Sequence, residues 1–132
     1  MEMNTILKST ICIIILFLAA CNKEPASQPT AEFTTNLINN TVTTGTPFVV
    51  YTDKIVGEWA VYFKGADSVT TYSEDFHRAV GVNIDLGLDS ISVSGYNLAG
   101  EYPFTVVVSS SGNWGEDYLQ DVKSITISVI AE

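Results

Sequence analysis

The sequence predicts an all-β domain over residues 31–132, a β-sandwich of roughly seven or eight antiparallel strands. Three observations point there. After Ala31 the chain is a series of short β-branched and aromatic runs broken by Gly, Asn, Asp and Ser. Nowhere in it do apolar residues keep helical spacing for three turns. Near the C-terminus two segments alternate apolar and polar residues with period two, which puts one face of each in a core.

Taken in order, the expected strands are Glu32 to Thr35, Phe48 to Thr52 and Glu58 to Phe63, the last carrying Trp59, Val61 and Phe63 on one face. That shared face makes Trp59 an expected core residue. Ser68 to Tyr72, Val80 to Ile84 and Ser90 to Ser94 follow, the last two separated by the turn Asp85-Leu86-Gly87-Leu88-Asp89. In Tyr102 to Ser109, Tyr102, Phe104, Val106 and Val108 form one face, and Pro103, which cannot donate to a ladder, belongs at the start or on an edge. Ser124 to Ile130 closes the domain with Ile125, Ile127 and Val129 on its apolar face.

Ahead of this domain, Lys8 gives a positive n-region, Ile11 to Leu18 an apolar h-region, and Ala19-Ala20 a small-residue cleavage site. The apolar run is too short for a spanning helix, which needs about 20 residues. With Cys21 after it, Leu18-Ala19-Ala20-Cys21 resembles the lipobox of bacterial lipoproteins. The resemblance implies removal of residues 1–20, a covalent lipid on Cys21 and a mature protein anchored to a membrane, not spanning it. From Asn22 to Thr30 the chain is polar and proline-bearing and reads as a flexible tether, so residues 21–30 join the lipid to the domain. Asn22 is not the aspartate that retains enteric lipoproteins at the inner membrane, and Cys21-Asn22-Lys23-Glu24 resembles short signals for export to the cell surface. The expected location is the outer membrane.

Loss of residues 1–20 removes one acid, Glu2, and one base, Lys8, so the net charge stays at −9. Nucleic acid is excluded as a partner, since its affinity comes from Lys and Arg on phosphates. Cys12 leaves with the leader and Cys21 carries lipid, so the domain has no thiol for a disulfide, a zinc site or a nucleophile. His77 is the only histidine; with Asp75 nearby it would have to serve any hydrolase triad, and no Gly-x-Ser-x-Gly turn accompanies it. Carboxylates such as Glu74, Asp75, Glu116 and Asp117 are numerous enough for a glycosidase pair, but a sandwich of this size has little material for a sugar cleft. No catalytic residue and no cofactor is expected. Calcium is the one metal with any foothold, through Asp85 and Asp89, or through Asp117 and Asp121 near Glu116. Aspartates in such turns more often cap backbone amides.

The segment Tyr96-Asn97-Leu98-Ala99-Gly100-Glu101-Tyr102-Pro103-Phe104-Thr105-Val106-Val107-Val108 resembles the signature of PKD domains, which are immunoglobulin-like sandwiches. Pro29 to Phe33, Gly45 to Thr52 and Ser124 to Val129 resemble the first, second and closing strands of that family. Trp59 fits its core tryptophan, while Lys64-Gly65-Ala66-Asp67 departs from the family turn and Thr70 to Gly95 is longer than usual. The resemblance implies a non-catalytic spacer, an adhesion module or a companion of polysaccharide-handling proteins.

The connection Ser109 to Tyr118 is the expected binding site, because end loops carry such sites in related folds. Trp114 and Tyr118 would present flat faces to sugar rings, and Asn113, Glu116 and Asp117 would meet hydroxyls. The other possibility is that Trp114 folds back over the sandwich end. The expected function is thus a lipid-anchored glycan-binding accessory of a polysaccharide-uptake system. The alternative is a spacer or adhesion module for another envelope protein. Asp67-Ser68-Val69 and Asp89-Ser90-Ile91 also resemble acceptor motifs for O-linked glycans on exported proteins.

Overall fold

The computed structural model describes residues 23–74 and 81–132. The leader, Cys21 and Asn22, the Asp75 and His77 pair and the start of the expected Val80 to Ile84 strand lie outside the described residues. The described chain is all-β, with its sheets packed together. Its strands are β1 (Thr30–Ala31), β2 (Thr34–Thr35), β3 (Thr41–Thr43), β4 (Phe48–Tyr51), β5 (Ile55–Val56), β6 (Trp59–Phe63), β7 (Val82–Asn83), β8 (Ser90–Val93), β9 (Gly100–Gly112) and β10 (Asp117–Ile130).

A five-stranded sheet, in the order β3-β10-β9-β6-β7, faces a three-stranded sheet, β2-β4-β8; β1 and β5 pair separately. The core between them is built from Phe48, Val50 and Val93 on the smaller sheet and from Ala60, Phe104, Val106, Val108, Ile127 and Val129 on the larger. Phe104 is its centre, in edge-to-face contact with Phe33 and Phe48, and each such pair adds to what burial alone contributes.

The expected pairing is wholly antiparallel, but β3 runs parallel to β10. At Asn39 and Asn40 the backbone turns left-handed, a conformation asparagine tolerates. The kink lets one stretch of chain serve as an edge of the small sheet (β2) and then of the large one (β3). The expected Glu32 to Thr35 strand is split as well: Thr30–Ala31 pairs with β5, and only Thr34–Thr35 joins the small sheet.

Ser68 to Tyr72 is not a strand. The Asp67 carboxylate accepts the amides of Val69 and Thr70 at 3.0 and 2.8 Å, and the Asp67 carbonyl accepts the Thr71 hydroxyl at 2.6 Å. Local side-chain bonds thus outcompete a ladder. The Thr70 amide, more than any other neighbour, holds the Asp67 carboxyl below its usual range. The turn lays Tyr72 against Phe63, with ring centroids 5.5 Å apart, closing a second small cluster with Val61 and Val107 on the outer face of the large sheet. β9 is therefore buried on both faces from Phe104 to Ser110.

Beneath β9, the Tyr96 hydroxyl donates to the Lys64 carbonyl at 2.9 Å, and the Lys64 ammonium caps the carbonyls of Ser94 and Gly95. Burial pushes the Tyr96 phenol well above its usual range, with Tyr102 and Tyr62 adding to it; burial raises Tyr62 as well. Unfolded phenols ionise near pH 10, while these stay protonated in the fold, so their contribution is complete below about pH 10 and is lost as pH rises beyond it. Burial lowers the Lys64 amine, which opposes the trend by one group. The expected result is a denaturant midpoint that falls above about pH 10, with a shallower fall in Tyr96→Phe. A midpoint equally flat in both proteins to pH 11 would refute this account of the buried phenols.

Candidate functional site

The expected long connection between the two best strands is a tight hairpin. β9 and β10 stay paired to Gly112↔Asp117, leaving only Asn113 to Glu116 as the turn. The Ser109-Ser110-Ser111 run is strand, not loop. Asn113, Trp114 and Gly115 all have positive φ, at 48°, 60° and 88°. The Asn113 side-chain Nδ2 donates to the Asp117 carboxylate across the turn, and Glu116 pairs with Lys23 at 2.6 Å.

Of the five predicted ligand-binding residues, Asn113 and Asp117 are thus engaged in closing the hairpin and Glu116 in holding Lys23. Trp114 does not fold back; it stands 82% exposed at the tip. Tyr118 lies apart from it, on the outer face of β10, with its hydroxyl 2.8 Å from Ser109 Oγ. Trp114 and Tyr118 line separate depressions, divided by Glu58 and Ser111.

The partner that the fold brings to Tyr118 is Trp59. Trp59, expected in the core, is 49% exposed. It does share a face with Val61 and Phe63, but that is the outer face; Ala60 and Tyr62 point to the main core. The Tyr72 turn covers Val61 and Phe63 and stops short of Trp59. Trp59 lies opposite Ser109 and Tyr118 opposite Ser111, so the two residues stand on the strands either side of β9, which are about 10 Å apart, and are offset by two residues along it. The short serines between them leave a shallow depression of about 110 Å³, lined by Glu58, Trp59, Ser109, Ser110, Ser111 and Tyr118.

Each wall is held. Trp59 Nε1 donates to Asn83 Oδ1 at 3.1 Å, and Gln120 Nε2 donates to the Tyr118 hydroxyl at 3.3 Å. Glu58 Oε2 accepts the Ser111 amide and hydroxyl at 3.1 and 2.9 Å. Two aromatic faces, a carboxylate and several hydroxyls therefore converge at fixed positions. Sequence reasoning missed Glu58 and Trp59; the available signal was the serine run, since small residues on a central strand leave room between larger neighbours.

The neighbouring depression, about 450 Å³, is formed partly by the N-terminal segment, through Glu24, Pro25 and Ser27. Residues 23–30, expected as a free tether, lie along the hairpin instead. The Asn113 amide donates to the Glu24 carbonyl at 2.6 Å, Asp121 Oδ2 accepts the Ala31 amide at 2.7 Å, and Pro29 is buried. Gly112 makes this approach possible, because a Cβ there would run into the backbone of Pro25 and Ala26.

The acidic residues weighed for calcium are dispersed. Asp85 Oδ1 accepts the Gly87 amide at 2.9 Å, while Asp121 is committed to Ala31 and Glu116 to Lys23. No group of three metal-ligating side chains forms among the described residues. Ser68 and Ser90, in the two possible glycan-acceptor motifs, are both exposed. No family model, no curated protein and no solved structure matches the chain.

Proposed function

We propose that the protein is a non-catalytic, lipid-anchored module of the bacterial outer membrane that captures a glycan on the outer face of its larger sheet. The leader, the small-residue pair and Cys21 support the anchor. Strand order supports an immunoglobulin-like, PKD-like sandwich: β2, β4 and β8 correspond to strands A, B and E, and β10, β9 and β6 to G, F and C. The Tyr102 hydroxyl donates to the Leu98 carbonyl at 2.8 Å, a contact similar to the tyrosine corner of such folds.

The single observation that carries the glycan reading is the Trp59–Tyr118 pair. Two half-exposed rings, fixed by hydrogen bonds at their edges, flank a serine floor beside Glu58. Such rings stack on the C–H faces of sugars at small entropic cost, while the Glu58 carboxylate and the Ser111 hydroxyl, which line the same depression, are in reach of sugar hydroxyls.

A polysaccharide panel tests this with residues 22–132 and the Trp59→Ala variant. The expected result is binding that weakens about tenfold or more in the variant, equivalent to at least about 1.4 kcal/mol. Silence across the panel from a folded domain, or binding indifferent to Trp59, would overturn the glycan site and favour attachment to an envelope protein. Release of new reducing ends would make the protein a glycosidase instead.

A further inference from the structure

Two features meet at one end of the molecule. The first is Trp114, at the apex of the hairpin, 82% exposed and in the left-handed region at φ 60°. A bulky side chain in that conformation is strained, and here it gains no packing inside the fold in return. The second is the N-terminal segment, which arrives at the same tip. Lys23 Nζ is 2.6 Å from the Glu116 carboxylate, and the Glu24 carbonyl accepts the Asn113 amide.

Cys21 is two residues before Lys23, a span of at most about 7 Å of chain. A free stretch from Cys21 to Thr30 would hold the domain a root-mean-square distance of about 17 Å from its lipid. Docked along the hairpin, that stretch instead brings the anchor to the tip. We propose that the hairpin tip, led by Trp114, is the surface on which the domain rests against the bilayer that holds Cys21. The proposal rests on the lipid-anchored reading given above.

The chemistry of the tip suits this occupant. A net charge of −9 is repelled by anionic headgroups, and at the tip Lys23 offsets only one of the carboxylates of Glu24, Glu116 and Asp117, so the contact is carried by the indole and by the nearby lipid rather than by charge. Indole, with an apolar body and one N–H donor, is the side chain most at home at headgroup level. Leu119 adds apolar surface beside Pro25. The contact orients the sandwich and separates two tasks: Trp114 meets lipid, while the Trp59–Tyr118 face stays open at the side.

The chain has two tryptophans, which makes the test direct. The full lipidated protein is reconstituted in phosphatidylethanolamine–phosphatidylglycerol vesicles, with or without bromine on the acyl chains. Trp59→Phe leaves Trp114 as the only indole emitter, and Trp114→Phe leaves Trp59. The expected result is a blue-shifted Trp114 emission that brominated lipid quenches by roughly half or more, and a Trp59 emission that it leaves nearly unchanged. Trp114 emission that stays red, resists brominated lipid and yields to aqueous iodide would overturn the tip contact. Flotation with the vesicles and the intact mass read the anchor separately. A protein that floats and carries acyl mass but shows no quenching refutes the tip alone, whereas one without acyl mass refutes the anchor and the tip together.

Discussion

Phe104→Ala is expected to remove about 3–5 kcal/mol of stability, a large share of the 5–15 kcal/mol typical of a whole domain. Phe104 is fully buried in the first half of β9, and its ring meets those of Phe33, Phe48 and Tyr62 at centroid distances of 5.8, 5.7 and 5.4 Å. Those neighbours come from the N-terminal segment and from both sheets, so no single element can shift to fill the space. The surrounding rings lose their contacts and a cavity remains. Urea unfolding at neutral pH reads the effect as a lower midpoint with little change in slope. Trp59→Ala is the informative comparison. Had Trp59 been a core residue, it would have cost as much as Phe104; as a half-exposed residue it should cost about 1 kcal/mol. Equal midpoints for the two variants would refute the assignment of Trp59 to the outer face.

Gly65→Ala is expected to cost about 3 kcal/mol, for two separable reasons. Gly65 has φ +70°, and a Cβ there would run into the Pro103 carbonyl while lying 2.7 Å from Pro103 Cδ. The residue cannot easily retreat, because its amide donates to the Thr70 carbonyl at 2.8 Å and its neighbour Lys64 accepts the Tyr96 hydroxyl. Asparagine tolerates the left-handed region but brings the same Cβ, so Gly65→Asn should be nearly as damaging as alanine. Gly45 is the control: its φ is +77°, with nothing within 4 Å of a Cβ. There alanine should cost only the conformational strain, about 1–2 kcal/mol, and asparagine less. Rescue by asparagine at Gly65 would show that backbone strain, not the close approach to Pro103, makes glycine necessary.

The parts of the fold legible in the sequence were those whose signal is local. Phe48 to Thr52, Glu58 to Phe63 and Ser90 to Ser94 each match an observed strand to within a residue, because turn-forming residues bound each run. Tyr102 to Ser109 falls inside β9 and Ser124 to Ile130 is the C-terminal half of β10, so both are correct but fall short of the strands' length. Ser110, Ser111 and Gly112 have weak strand propensity alone; they extend β9 because β10 offers them partners. Ser68 to Tyr72 failed in the opposite sense, since a β-branched run yielded to the hydrogen bonds of Asp67.

For the candidate site, the sequence alone determined an acidic all-β chain with an aromatic-bearing connection between its last two strands. Only the tertiary structure decided which aromatics act together. Alternation shows that the two faces of β6 differ, yet a strand with apolar side chains on both faces does not reveal which face meets the main core. That choice depends on what covers each face: the small sheet covers Ala60 and Tyr62, and the Tyr72 turn covers Val61 and Phe63 but leaves Trp59 open. The same holds for residues 23–30, whose composition reads as a tether. What pins them down are bonds to Asn113, Glu116 and Asp121, some 90 positions along the chain, and contacts so distant in sequence leave no local pattern to read.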